Sequence, residues 1–125
     1  MNKINYQKLS KKISQLMLDK KGIEIKIINI SKISSLTDYF IICSSESEPQ
    51  TKAIANHIID NINLEFKIKP LHTEGIENLE WVLLDYVNIV VNIFNKKTRE
   101  YYNIERLWGD AKITNIKESF SKDEK

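Results

Sequence analysis

Only one cysteine, Cys43, is present, so no disulfide can close within the chain, and a reducing compartment is the simpler expectation. Arginine is nearly absent: Arg99 and Arg106 stand alone, and lysine carries the rest of the positive charge. Neither sign of charge dominates. The 19 basic and 17 acidic residues leave a net charge of +2, too balanced to attract nucleic acid by bulk electrostatics. No apolar run approaches the roughly 18 residues that would span a bilayer. The first residues hold neither an apolar signal core nor an arginine-rich, acid-poor transit pattern, so a cytoplasmic protein is expected. No internal repeat is visible. What is there fits one ordinary domain: 125 residues, 42% apolar types to build a core and 29% charged types to solvate a surface. Isoleucine, lysine and asparagine are plentiful, which reads as the drift of an AT-rich genome and not as chemistry.

Tyr6, Leu9, Ile13, Leu16 and Met17 recur at helical spacing with polar residues between them. They predict an amphipathic helix stopping near Gly22, whose lysines Lys11, Lys12, Lys20 and Lys21 form its wet side. Ile23, Ile25 and Ile27 alternate with Glu24 and Lys26, as in a half-buried strand. Tyr39 to Cys43 is continuously apolar and suits a central strand covered on both faces. Ser47-Glu48-Pro49-Gln50 opens a second helix: Ser47 caps it, Pro49 is tolerated in the first turn and Gln50 closes a capping box. Ile54, Ile58 and Ile62 form the buried side of that helix. Phe66 and Ile68 predict a short strand before Pro70. Trp81 to Tyr86 and Ile89 to Phe94 read as two strands of a hairpin, turning at Asp85 to Asn88. Thr98 is expected to cap a short helix through Tyr102, and Asn103 a second turn carrying Ile104, Leu107 and Trp108 and ending at Gly109. The expectation is an α/β (α+β) domain over residues 1–110, with a mixed sheet of about five strands packed by helices. Residues 111–125 read as a polar, frayed C-terminal tail.

Three stretches, in order and spacing, resemble the RsfS/Iojap family of ribosomal silencing factors. They are Ser34-Ser35-Leu36-Thr37-Asp38-Tyr39-Phe40-Ile41-Ile42; then Glu74-Gly75 followed by Trp81-Val82-Leu83-Leu84-Asp85-Tyr86; then Thr98-Arg99-Glu100-Tyr101-Tyr102 with Ile104-Glu105-Arg106-Leu107-Trp108-Gly109-Asp110. The resemblance runs over about residues 5 to 110. It implies a nucleotidyltransferase-like fold without the catalytic residues. It also implies a partner, the large-subunit ribosomal protein L-fourteen, on the face that meets the small subunit. Covering that face blocks subunit joining sterically and lowers translation when nutrients are scarce. The chain departs from the family after the second strand. Ser44-Ser45 and Pro49-Gln50 stand where a Gly-Thr-type turn and an arginine before glutamine are usual.

A working nucleotidyltransferase needs a Gly-Ser element for the triphosphate and close carboxylates, often Asp-x-Asp, for magnesium. The sequence holds neither; Asp38 and Asp85 each stand singly. Cys43 sits in an apolar strand, where a thiol acts as a small hydrophobe. His57 reads as a helix-flank residue and His72 as a loop-orienting one, and no zinc-type spacing links them. No enzyme, metal or cofactor is therefore expected. The rival readings are a degenerate nucleotidyltransferase or hydrolase, and an RNA-binding module that uses lysines with Tyr101 and Tyr102 as stacking groups.

The partner-facing candidates gather around the tryptophan strand. Strand alternation sends Trp81, Leu83 and Asp85 one way and Val82, Leu84 and Tyr86 the other. A face of Trp, Leu and Asp makes a poor half-core, because a lone carboxylate is costly to bury. As a contact face it offers an aromatic anchor and an acid for a basic group of the partner. The alternative packs Trp81 under the second helix or the C-terminal turns. The full set is Trp81, Leu83, Asp85, Tyr86, Glu74, Tyr102 and Glu105. Glu74 adds acid, Gly75 permits a turn, and Tyr102 and Glu105 border the patch. Trp108 faces inward with Ile104 and Leu107, and Arg106 pairs with Glu105, Asp85 or Asp110. On the ribosome the chain is expected as a monomer. Dimerisation of the free chain and secondary contacts to RNA stay open.

Overall fold

Helix α1 (Tyr6–Asp19) begins where the side chain of Asn5 accepts from the Lys8 backbone N–H, and turns Leu9, Ile13, Leu16 and Met17 inward. A computed structural model of the chain describes residues 4–116. Strands β1 (Ile23–Asn29) and β2 (Tyr39–Ser45) follow, then helix α2 (Glu48–Phe66), capped by Ser47. Gln50 does not close back on the cap itself. Its Oε1 accepts from the Glu46 N–H at 2.7 Å while its Nε2 reaches the carbonyls of Lys20 and Lys21, tying α2 to the end of α1. Strands β3 (His72–Glu74), β4 (Trp81–Asp85) and β5 (Ile89–Asn95) lead to the seven-residue helix α3 (Lys96–Tyr102), a 3-10 helix (Ile104–Trp108) and strand β6 (Lys112–Ile116).

The six strands form one sheet in the order β3-β4-β5-β2-β1-β6. Among the described residues only β2 and β5 run parallel; every other neighbouring pair is antiparallel. The mixed α+β sheet expected from the sequence is therefore present, with six strands instead of five. The extra one is β6, assigned above to the polar tail. An edge strand pairs on one side only, so Lys112, Thr114 and Asn115 can face water while their backbone bonds to β1. Residues 117–125 lie outside the described residues. Phe66 and Ile68 do not make a strand. Phe66 ends α2, Lys67 turns left-handed at φ 62°, and the strand comes later, at His72–Glu74. Asn95, not Thr98, caps α3, its side chain accepting from Lys97 N–H at 3.0 Å.

The two faces of the sheet are covered unequally. One receives both long helices and holds the main core, with Leu9, Ile13, Met17, Ile54, Ile58 and Ile62 against Ile25, Ile41, Cys43, Leu84, Val91 and Ile93. Among the described residues, the other is covered only by α3 and the 3-10 helix, over a smaller cluster of Ile28, Ile30, Ile42, Phe94 and Ile104. β1 thus feeds both cores. Its register breaks between Ile23 and Lys26, and Ile27 and Ile28 are buried on opposite faces. Among the described residues α3 packs on β5 and β2, while Leu83 and Asp85 of β4 stay half-buried and β3 stays exposed, so that part of the sheet is open.

A candidate docking face

Cross-strand register shows which side chains share the open face, since paired residues project together. Glu74 pairs with Leu83 and Leu83 with Asn92; His72 pairs with Asp85 and Asp85 with Val90; Trp81 pairs with Phe94. Glu74, Trp81, Leu83 and Asp85 therefore lie on one side. Tyr86 does not join them. It is 6% exposed and packs into the main core, as alternation along β4 requires. Burial pushes its phenol up to about 12, and its hydroxyl finds no hydrogen-bond partner among the described residues.

Trp81 is neither sealed nor free. Its indole stacks on Phe94 at 4.7 Å, with Tyr102 at 5.0 Å on a tilt, and its Nε1 donates to Asn92 Oδ1 at 3.0 Å. The side chain stays half-buried. Beyond it Tyr101, Tyr102 and Leu107 are 81%, 52% and 73% exposed, and Tyr101 packs edge-on against Tyr102. Leu107 thus points outward, against the inward reading. In so short a 3-10 helix only Ile104 is fully turned to the sheet, while Trp108 is half-buried against Phe40 at 5.5 Å. Two shallow hollows meet at the indole. One is lined by Glu74, Gly75, Glu80, Leu83 and Tyr102, the other by Glu100, Tyr101, Tyr102 and Leu107. The result is an apolar, aromatic patch with carboxylates at its rim.

Gly75 sets the edge of this patch. Its φ of 81° is left-handed, and a Cβ there would run into the Trp81 carbonyl. The turn closes through Leu79 N–H to the Gly75 carbonyl at 2.9 Å. Glu74 is exposed and pairs with His72 at 2.7 Å. Asp85 stands at the other end of β4, about 13 Å from Trp81 along the strand. One of its carboxylate oxygens accepts from Val87 N–H at 2.8 Å and closes the hairpin turn.

Glu105 belongs elsewhere. Arg99 grips it through Nη2 at 3.0 Å, and Lys26 reaches it at 3.1 Å. Burial works to raise the Glu105 carboxyl, but the hydrogen bonds and charges of Arg99 and Lys26 outweigh it and hold the group below its ordinary value. Arg106 is not its partner. Arg99 is only 5% exposed; a single sequence offers no signal for choosing between the two arginines. Cys43 is fully buried, and that burial pushes its thiol up to about 12 against a smaller opposing pull from Arg99. His57 is spent on Asp19 at 3.1 Å. Among the described residues no three His, Cys, Asp or Glu side chains gather as metal ligands, and no helix is long and apolar enough to cross a membrane.

A family model described as ribosomal silencing factor during starvation matches residues 3–125. The chain belongs to the RsfS family. A ribosomal silencing factor RsfS from Halalkalibacterium halodurans is 43% identical over 93 residues, which cover 74% of this chain and 79% of that one. The Bacillus subtilis RsfS is 40% identical over 98 residues, covering 78% and 82%. A crystal structure of a Chromobacterium violaceum protein superposes with a TM-score of 0.81 at 35% identity, covering 85% of this chain and 88% of that one. RsfS membership makes translation regulation, by silencing of the ribosome, the role of the family.

Proposed function

We propose that the chain binds the large ribosomal subunit through ribosomal protein L-fourteen and keeps the small subunit from joining. The observation that carries the reading is the half-buried Trp81, flanked by exposed Tyr101, Tyr102 and Leu107 and rimmed by Glu74, Glu80 and Glu100. Aromatic anchors of this kind supply most of the energy in protein interfaces. Carboxylates at the rim suit basic groups on a ribosomal partner and steer its approach. Leu83 extends the apolar floor, while Asp85, occupied by its own turn, contributes at the periphery. A docked interface of about 1,200–2,000 Å² would use this face alone and leave the sheet and both long helices as a wedge. No turnover is needed, and the protein acts in the cytoplasm as a monomer on the subunit, repressing translation when nutrients are limiting.

The test is sucrose-gradient sedimentation of purified subunits with and without the chain. Co-migration with the large subunit and loss of joined ribosomes support the reading. Binding that persists on protein-free RNA and falls steeply with salt would favour an RNA-binding module.

A further inference from the structure

The aromatic patch stands on a thin support. Helix α3 has seven residues, too few to be stable alone, and its single buried side chain is a charged one, Arg99; in the 3-10 helix only Ile104 is buried. The outward side chains Tyr101, Tyr102 and Leu107 do little to hold this layer down.

Arg99 ties the layer to two strands at once. Its Nη1 donates to the Glu24 carbonyl at 2.7 Å and to Ser44 Oγ at 2.9 Å, while Nε and Nη2 fork onto the two carboxylate oxygens of Glu105 at 3.4 and 3.0 Å. Glu24 sits at the register break of β1 with φ of 51°, and its carbonyl there accepts from the guanidinium. Lys26 of the same strand holds Glu105 from the other side at 3.1 Å. The cluster thus links β1, β2, α3 and the 3-10 helix through one planar fork, which a lysine cannot reproduce.

We infer that Arg99 is a positioning residue for docking: it clamps α3 and the 3-10 helix so that Tyr102 and Leu107 are fixed beside Trp81 before the partner arrives. The inference rests on the proposed function. At 5% exposure Arg99 offers a partner almost nothing to touch, so any effect on binding travels through the residues it holds. Fixing a contact surface in advance removes an ordering cost from association.

The experiment measures affinity for purified large subunits, with melting temperature alongside, for the full chain carrying Arg99→Lys, Tyr102→Ala or both. Arg99→Lys should stay folded yet bind roughly tenfold more weakly. In the Tyr102→Ala background the same change should cost less than about twofold, because the two act as a unit. A merely structural role would lower the melting temperature without this coupling. A folded Arg99→Lys chain that binds like the wild type, or whose loss multiplies that of Tyr102→Ala, overturns the inference. If Arg99→Lys does not fold, Glu105→Gln removes the charge on the far side of the clamp and carries the same comparison. Failure of the wild-type chain itself to bind large subunits would instead overturn the proposed function, and the inference with it.

Discussion

The indole Nε1 of Trp81 donates to Oδ1 of Asn92, a side chain that is completely buried in the middle of β5. The indole is held by its edge as well as by its face on Phe94. Asn92 is costly in that position unless satisfied, because a buried polar group without a partner loses about 1–3 kcal/mol. Trp81→Phe keeps an aromatic ring over Phe94 but strands Asn92 Oδ1. Urea unfolding should show a loss in that range, while binding to the large subunit should fall less than it does for an alanine at the same place.

Tyr86 gives the opposite expectation. Its hydroxyl is buried in the main core with no partner among the described residues, so deleting it removes a desolvated group and leaves the ring in place. Tyr86→Phe should change stability by less than about 1 kcal/mol, or improve it, and should leave large-subunit binding untouched. Weaker binding by this variant would return Tyr86 to the docking face.

Much of the fold was legible because its signals are local. The spacing of Leu9, Ile13 and Met17, the Ser47 cap and the continuous apolar run into β2 each identify an element from a few neighbouring residues. The misreadings have non-local causes. Lys112–Ile116 becomes a strand only because β1 has a free edge beside it, and nothing within those five residues reports that edge. Arg99 is buried because Glu24, Ser44 and Glu105, distant in sequence, converge on it. For the docking candidates, alternation correctly put Trp81, Leu83 and Asp85 on one side and already placed Tyr86 on the other. Glu105 is held by Arg99 and Lys26, partners that the chain alone does not reveal.

Gly75 should tolerate no side chain. Its left-handed φ and the nearby Trp81 carbonyl mean that Gly75→Ala must shift the start of β4. The expected cost is about 1–3 kcal/mol in chemical denaturation, with weaker large-subunit binding because Trp81 moves with the strand.

Glu105 gives the clamp a pH signature. Its carboxyl is held below the ordinary value in the folded chain, so the unfolded chain takes up its proton first as acid is added. The stabilisation is fully present above the unfolded value and is lost as pH falls through the folded one. Glu105→Gln should therefore be less stable than wild type near neutral pH, and the gap should narrow in acid below the ordinary carboxyl range. Urea midpoints at both pH values check the sign; a gap that stays constant would mean the charge contributes nothing.

The most direct measurement is the affinity of Trp81→Ala for purified large subunits, with folding verified by circular dichroism. A loss of about 2 kcal/mol or more, roughly thirtyfold in affinity, and a matching loss of the block on subunit joining are the predicted results. A folded Trp81→Ala chain that binds and blocks joining as well as the wild type would contradict the account.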